Sequence, residues 1–283
     1  ALRPIHFANM SFPTDVPTRP VPGNFRWRAR PSSSDIAAMI HRGMRDRSGL
    51  ASALGDSFCP QGIGRVRIFF MDITIIPVTP FEQNCSLLHC PTSGKAVLVD
   101  PGGDPERILA GVRDIGATLQ KILVTHGHFD HVGAVGQMAR ELGLPIEGPH
   151  QDDQFLLDSL PQWCRQFGFP PAEAFIPDRW LGEGDLVTFG DQTLEVRHCP
   201  GHTPGHVIFF HPAGRAAIVG DVIFKGSIGR TDFPRGDHET LLTSIRERIW
   251  PLGDDVTLLP GHGPTTTVGE ERAHNPFLQG AYG

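Results

Sequence analysis

Residues 121–131 read "KILVTHGHFDH", an apolar run closed by His126, His128, Asp130 and His131 within six positions. The run 121–125 has the length and apolar content of a buried strand, so the histidines begin where a strand ends. Histidine is the commonest metal ligand, and a catalytic metal takes about three protein ligands plus an open position for water. In an extended or tightly turning segment, His126 and His128 can converge on one ion while Asp130 and His131 on the next bend face a second. A lone H-x-H says little. The whole T-H-x-H-x-D-H pattern directly after a strand reads as a metal site.

Six residues cannot fill two coordination spheres, so the reading demands more His or Asp at strand ends. The chain supplies them. His202 lies in "CPGHTPGH" after "TLEVRHC", Asp221 closes "AAIVGD", and His262 lies in "LLPGHGP" after "VTLLP". Upstream, "ITIIPV", "CSLLHC" and "AVLVD" read as a three-stranded meander closing on the turn "PGGD". Asp104 and Pro105 then stand as cap and first residue of a helix over "PERILAGVRDIG". Downstream come a helix in "VGAVGQMARELG", a short strand "PIEG", and a helical region at residues 150–170. The strands "DLVTFG", "QTLEVRHC", "HVIFFH" and "AAIVGD", a last helix "HETLLTSIRERIW" and the strand "VTLLP" follow. Strands outnumber helices, and the helices fall between two strand clusters. The fold class is therefore α+β, two packed sheets with helices on the outer faces.

Across 283 residues, 39% hydrophobic content with 18 Phe and four Trp is ample for a buried core. The formal net charge of -6 leaves no electrostatic footprint for nucleic acid. No run approaches the roughly 20 apolar residues of a membrane span. Five scattered cysteines without a CxxC pair argue against a disulfide framework and a Cys-based zinc site, and suggest a reducing, cytoplasmic setting. Residues 1–70 hold ten Arg, no Lys, four acidic residues and seven Pro, with little sustained apolar periodicity. They read as a mostly disordered extension ahead of a domain at 71–283. Within it, residues 36–53 can form a marginal helix whose Arg and Ser content faintly suggests organelle targeting.

The ligand pattern resembles the metallo-β-lactamase superfamily over about residues 71–278. That resemblance implies a four-layer αββα sandwich with the ligands on loops along one sheet edge. It implies that His126, His128 and His202 hold one metal, that Asp130, His131 and His262 hold the second, and that Asp221 bridges. Asp130 and Asp221 then also serve catalysis, and Asp100 in "VDPGG" orients a ligand from behind. The cofactors expected are two divalent ions, Zn2+ first, with Fe or Mn as alternatives. Such a pair activates water, so no Ser or Cys nucleophile is needed. Cys199 reads as a buried structural thiol, with an attacking thiolate as the alternative. His198 and His206 flank the same loop as candidate hydrogen-bond donors to the ligands.

Within the superfamily, antibiotic-hydrolysing members usually place Cys or Ser where this chain has Asp221. Lactone-hydrolysing members generally add a tyrosine near the metals, and the one tyrosine here is Tyr282. The stretch "GDVIFKGSIGRTDFPRGD" at residues 220–237 resembles the glyoxalase II branch, the hydroxyacylglutathione hydrolases, in its short single-domain form. That implies hydrolysis of a glutathione-derived 2-hydroxyacyl thioester, with Arg230 contacting the glutathione portion; a structural salt bridge is the alternative for Arg230, and Lys225 reads as a solvated loop charge. Only 21 residues follow His262, room for one short helix where long-form members carry a helical domain. A single-iron persulfide dioxygenase, with a similar "GRTDF" stretch, stays open as the second reading and a lactonase or other hydrolase of this fold as the third; the intact ligand set stands against a non-catalytic binding module. Neither nucleic acid nor membrane is an expected partner, and no sequence signature speaks to oligomeric state.

Overall fold

The computed structural model describes residues 64–68 and 71–279. One six-stranded sheet runs in chain order: β1 (Gly64–Ile68), β2 (Met71–Val78), β3 (Gln83–Cys90), β4 (Lys95–Val99), β5 (Thr118–Leu123) and β6 (Ile146–Glu147). The second sheet comprises β7 (Leu186–Phe189), β8 (Gln192–His198), β9 (Val207–His211), β10 (Ala216–Gly220), β13 (Thr257–Pro260) and β14 (Thr266–Thr267). Its spatial order is β14-β13-β10-β9-β8-β7. A small hairpin, β11 (Ile223–Phe224) and β12 (Ser227–Ile228), stands apart from both. The helices are α1 (Pro105–Ile115), α2 (Phe129–Val132), α3 (Val135–Leu142), α4 (Gln154–Phe167), α5 (His238–Ser244) and α6 (Val268–His274).

Strand alternation shows why there are four layers. Successive side chains of a strand point to opposite faces, so a strand buried on both sides must be apolar throughout. In β3, Leu87 joins Ile108, Met138 and Leu157 beneath the helices, while Leu88 joins the core between the sheets. In β9 and β10, Val207, Phe209 and Ile218 face that central core. Their neighbours Ile208, Phe210 and Val219 pack on Leu241 and Ile245 at the opposite outer face. The order is helix, sheet, sheet, helix, as the resemblance implies. Each fully buried Leu, Ile or Phe in these layers contributes about 1.5–3 kcal/mol.

Three local expectations change. The strand at Gly64–Ile68 lies inside the segment assigned to the extension, and it pairs antiparallel with β2 from Gly64↔Ile75 to Ile68↔Met71. The alternating "GRVRI" occupies the hydrogen-bonding edge that β2 would otherwise leave open. The remaining extension, with the helix expected at 36–53, lies outside the described residues. Asp104 holds the N-cap position of α1, but its side chain makes no cap bond. Its backbone is left-handed at φ 49 and its Oδ2 accepts from Thr79 N at 2.9 Å, closing a loop between β2 and α1. The helix expected over 238–250 is α-helical only to Ser244, then continues as a π-turn over Ile245–Ile249 and a 3-10 turn over Trp250–Leu252.

Parallel pairing positions the site. β4 and β5 are parallel neighbours in the first sheet, and β10 and β13 in the second. Their carboxyl ends open onto Asp100, His126, Asp221 and His262 in turn. No described helix is long and apolar enough to cross a membrane. The described cysteines Cys85, Cys90, Cys164 and Cys199 are buried and none is in a disulfide.

Candidate metal centre

The seven residues named from sequence come together at that edge. His126 Nε2 lies 3.2 Å from His128 Nδ1, which lies 2.9 Å from His202 Nε2. The three rings cross at 84°, 87° and 76°, and one ligand nitrogen from each lies within 4.8 Å of the others. Beside them, His262 Nε2 is 3.2 Å from Asp130 Oδ2, and His131 Nε2 is 3.4 Å from Asp221 Oδ1. Asp221 Oδ2 sits 3.7 Å from both His202 Nε2 and His262 Nε2. It stands between the two sets.

Outer hydrogen bonds set the tautomers. Asp100, itself left-handed at φ 53, accepts from Thr125 N at 2.7 Å and from the Thr125 hydroxyl at 2.6 Å. With that hydroxyl proton committed, His126 Nδ1–H donates to Thr125 Oγ1 at 3.0 Å. His131 Nδ1–H donates to Asp100 Oδ2 at 2.9 Å, His202 Nδ1–H to the Arg230 carbonyl at 2.7 Å, and His262 Nδ1–H to the Phe81 carbonyl at 3.1 Å. Each of these four rings therefore presents Nε2 as a lone pair to the centre.

The donor set fits a cation. His131 Nε2 and Asp221 Oδ1 are buried without a hydrogen-bond partner, and both carry lone pairs. With His131 neutral, such a pair is repulsive until a positive charge, a proton or a metal ion, lies between them. Burial pushes His126 well below the ordinary imidazole range, reinforced by the surrounding rings, and drives His128 to about 3 and His202 downward. Those three are neutral, the form a metal needs. For His131 and His262 burial acts in the same direction, but the carboxylates of Asp221 and Asp130 overcome it and raise both. Burial alone would raise Asp221 and Asp130; His131 and His262 together outweigh it and hold both below the usual carboxylate range. A proton in the second set marks where positive charge is required.

A further group, His150, Asp152 and His198, also brings three ligand atoms near one another. Its rings are stacked 4.3 Å apart at 23°, Asp152 is exposed, and His150 Nδ1 already accepts from Asp152 N at 3.3 Å. His198 Nε2–H donates to the Pro204 carbonyl at 2.9 Å, a structural bond outside the centre. His206 is the flanking histidine that reaches the centre: its Nε2 accepts from Asp221 N at 3.0 Å and its ring stacks on His126 at 4.6 Å. Gly220, at φ 48, makes this approach possible, since an added Cβ would lie 2.7 Å from both His206 Nε2 and Thr125 Oγ1. Cys199 is fully buried and burial pushes its thiol far above the range of a working thiolate. Lys225 is exposed, as expected.

Arg230 sits at the rim. Its Nε and Nη2 donate to Asp232 Oδ1 and Oδ2 at 2.8 and 2.6 Å, its guanidinium lies over Phe233, and its carbonyl fixes His202. Three residues outside the sequence reading matter here. Phe233 leans on His128 and His202 with ring centroids 4.5 and 5.4 Å away. Asp153 is buried behind the 126–128 loop, and Asn84 is nearly so behind His262. "QDDQF" reads as the acidic start of a helix and "EQNC" as a strand start, so neither carries a local signal.

A sequence model of the Metallo-beta-lactamase superfamily matches residues 78–262. The chain is 47% identical over 209 residues to a Haemophilus influenzae protein named hydroxyacylglutathione hydrolase GloC, covering 74% of this chain and 98% of that relative. The solved structure of BLEG-1 B3 metallo-beta-lactamase superposes with a TM-score of 0.68 at 38% identity, over 74% of this chain and 100% of that one. TTHA1623 in a di-iron-bound form superposes at 0.66 with 39% identity, over 72% and 99%. Family match, relative and superpositions agree with the crossed-ring ligand sets: the chain belongs to the metallo-beta-lactamase superfamily of metallo-hydrolases.

Proposed function

We propose that this chain is a binuclear metal-dependent thioester hydrolase whose substrate is an S-(2-hydroxyacyl)glutathione such as lactoylglutathione. The observation that carries the reading is Asp221, with one carboxylate oxygen 3.7 Å from a nitrogen of each ligand set. His126, His128 and His202 would hold one divalent ion, Asp130, His131 and His262 the other, and Asp221 both. Bound there, two such ions supply Lewis acidity for a carbonyl and bring the pKa of water toward neutrality. Zinc is the first choice. Iron also suits His and Asp ligands, and one structural neighbour is in a di-iron form.

The chain's own groups do the rest. Four imidazoles are held in one tautomer by committed Nδ1–H bonds, so the centre does not reorganise during the reaction. Asp130 stays ionised and accepts a hydrogen bond from the attacking water, orienting it at the thioester carbonyl. The leaving thiolate is stable at neutral pH and asks for no strong general acid. Phe233 covers the His128 and His202 rings and limits water on that side. Arg230, braced by Asp232, is placed to meet a carboxylate of the glutathione portion at the rim. The name of the Haemophilus influenzae relative, aligned over 98% of its length, supports this substrate class. We place the start of the hydrolase domain at Gly64–Ile68.

The test is a metal-quantified preparation of the full chain assayed against lactoylglutathione, glutathione persulfide with oxygen uptake, and a chromogenic cephalosporin. The expected result is two metals per chain with thioester turnover alone. Oxygen uptake with one iron, or cephalosporin turnover exceeding thioester turnover, would overturn the proposal.

A further inference from the structure

Two buried polar side chains hold the ligand loops from behind, one for each set. Asp153 stands at the start of α4 with its carboxylate fully buried. Its Oδ2 accepts from Gly127 N and from the Thr203 hydroxyl, both at 2.8 Å, and its Oδ1 accepts from Gly205 N at 2.6 Å. Gly127 lies between His126 and His128, and Thr203 follows His202. One carboxylate thus ties together the two segments that supply all three imidazoles of the first set. The fit is close, since a Cβ on Gly205 would lie 2.5 Å from Asp153 N and 2.7 Å from its Cγ.

Asn84 does the equivalent work across the sheet-to-sheet gap. Its N donates to the Gly261 carbonyl at 2.7 Å, and its Nδ2 donates to the Pro260 and Gly263 carbonyls at 3.0 and 2.9 Å. Those carbonyls flank His262 on both sides. The Asp153 bonds all fall on loops of the first set and the Asn84 bonds all on the loop of the second.

We infer that Asp153 and Asn84 are positioning residues specific to one half-site each: Asp153 sets metal affinity at His126, His128 and His202, and Asn84 sets it at His262 and its partners. The inference rests on the binuclear reading. A carboxylate facing three donors cannot become an amide without setting N–H against N–H, and an Asn truncated to Ala releases two carbonyls. Loss of such outer partners costs about 10–100-fold in metal affinity.

The experiment uses full-length protein loaded with Co2+, whose paramagnetically shifted imidazole N–H signals are assigned with His202→Ala and His262→Ala. Chelator titration then follows each ion separately. Asp153→Asn is expected to weaken the first half-site about 10–100-fold and leave the second within about threefold, and Asn84→Ala to do the reverse. Thr203→Val, which deletes one of the three bonds without touching the backbone, should weaken the first half-site about fivefold and decides the matter if Asp153→Asn does not fold. Parallel loss of both ions, or no change in either, would overturn the inference. Wild-type protein holding one ion defeats the binuclear reading instead, and the Asp153 and Thr203 variants still test that ion if its signals belong to the first set.

Discussion

The two ligand sets lie side by side and are built on opposite principles. The first is three neutral imidazoles crossed at 84°, 87° and 76°, with Asp221 at its border. The second places Asp130 and Asp221 against His131 and His262, with Asp100 behind His131. Neutral lone pairs at close range cost less than unpaired charges, and outer hydrogen bonds orient two of the three rings, His126 and His202. Buried carboxylates cost far more unless positive charge accompanies them. The contrast teaches that the first set is shaped by hydrogen bonding and the second by charge.

The largest effect expected is from the residue common to both. Asp221→Ala should lower thioester turnover by more than about 100-fold and weaken metal retention in both sets, because even outer partners are worth 10–100-fold. Near-normal turnover with full metal content would contradict its shared position. Asp100→Asn comes next, at about 10–100-fold, since it releases Thr125 and His126 on one side and His131 on the other. Metal analysis should show the charge-built second set losing more; equal loss would erase the contrast.

Smaller changes sharpen the first set. Phe233→Ala should cost a few-fold to about tenfold in kcat/KM at unchanged metal content, the scale of one aromatic contact; a fall in metal content would show that the ring holds the ligands themselves. Asp153 gives a pH signature. Burial raises its carboxyl to about 6 against the pull of its three donors, chiefly Gly127 N. The folded protein then binds this proton more tightly than the unfolded chain does, so the residue's contribution to stability grows as pH falls through 6 and is lost as pH rises through it. Urea midpoints of the metal-free protein between pH 4 and 7 should have a steeper slope in wild type than in Asp153→Asn, and identical slopes would refute the assignment. Finally, Cys199→Ala should leave turnover within about twofold, because its thiol is neutral and buried. A large loss would return Cys199 to the list of nucleophiles.

Much of this molecule is legible one segment at a time. Residues 121–131 announce strand, turn and ligands within a single window, and Asp221, His202 and His262 each repeat the same order of strand, small residue and ligand. Strand alternation in β3, β9 and β10 likewise carries its own evidence for burial on both faces. The short-range signals fail where the partner is remote. Asp104 looks like a helix cap, yet the Thr79 amide claims its carboxylate. The strand Gly64–Ile68 looks like part of an arginine-rich extension until the edge of β2 is there to receive it.

The sequence by itself determined which His and Asp side chains stand at strand ends, because residue identity and strand-end placement are properties of a few consecutive positions. Only the tertiary structure decided how those residues face one another. The ring angles that separate the centre from the stacked His150 and His198 pair depend on backbone bonds from residues far along the chain. So does the grip of Asp153 and Asn84, whose partners lie 26 to 52 and about 180 positions away. Convergence over such separations comes from packing two sheets against each other, and no local pattern encodes it.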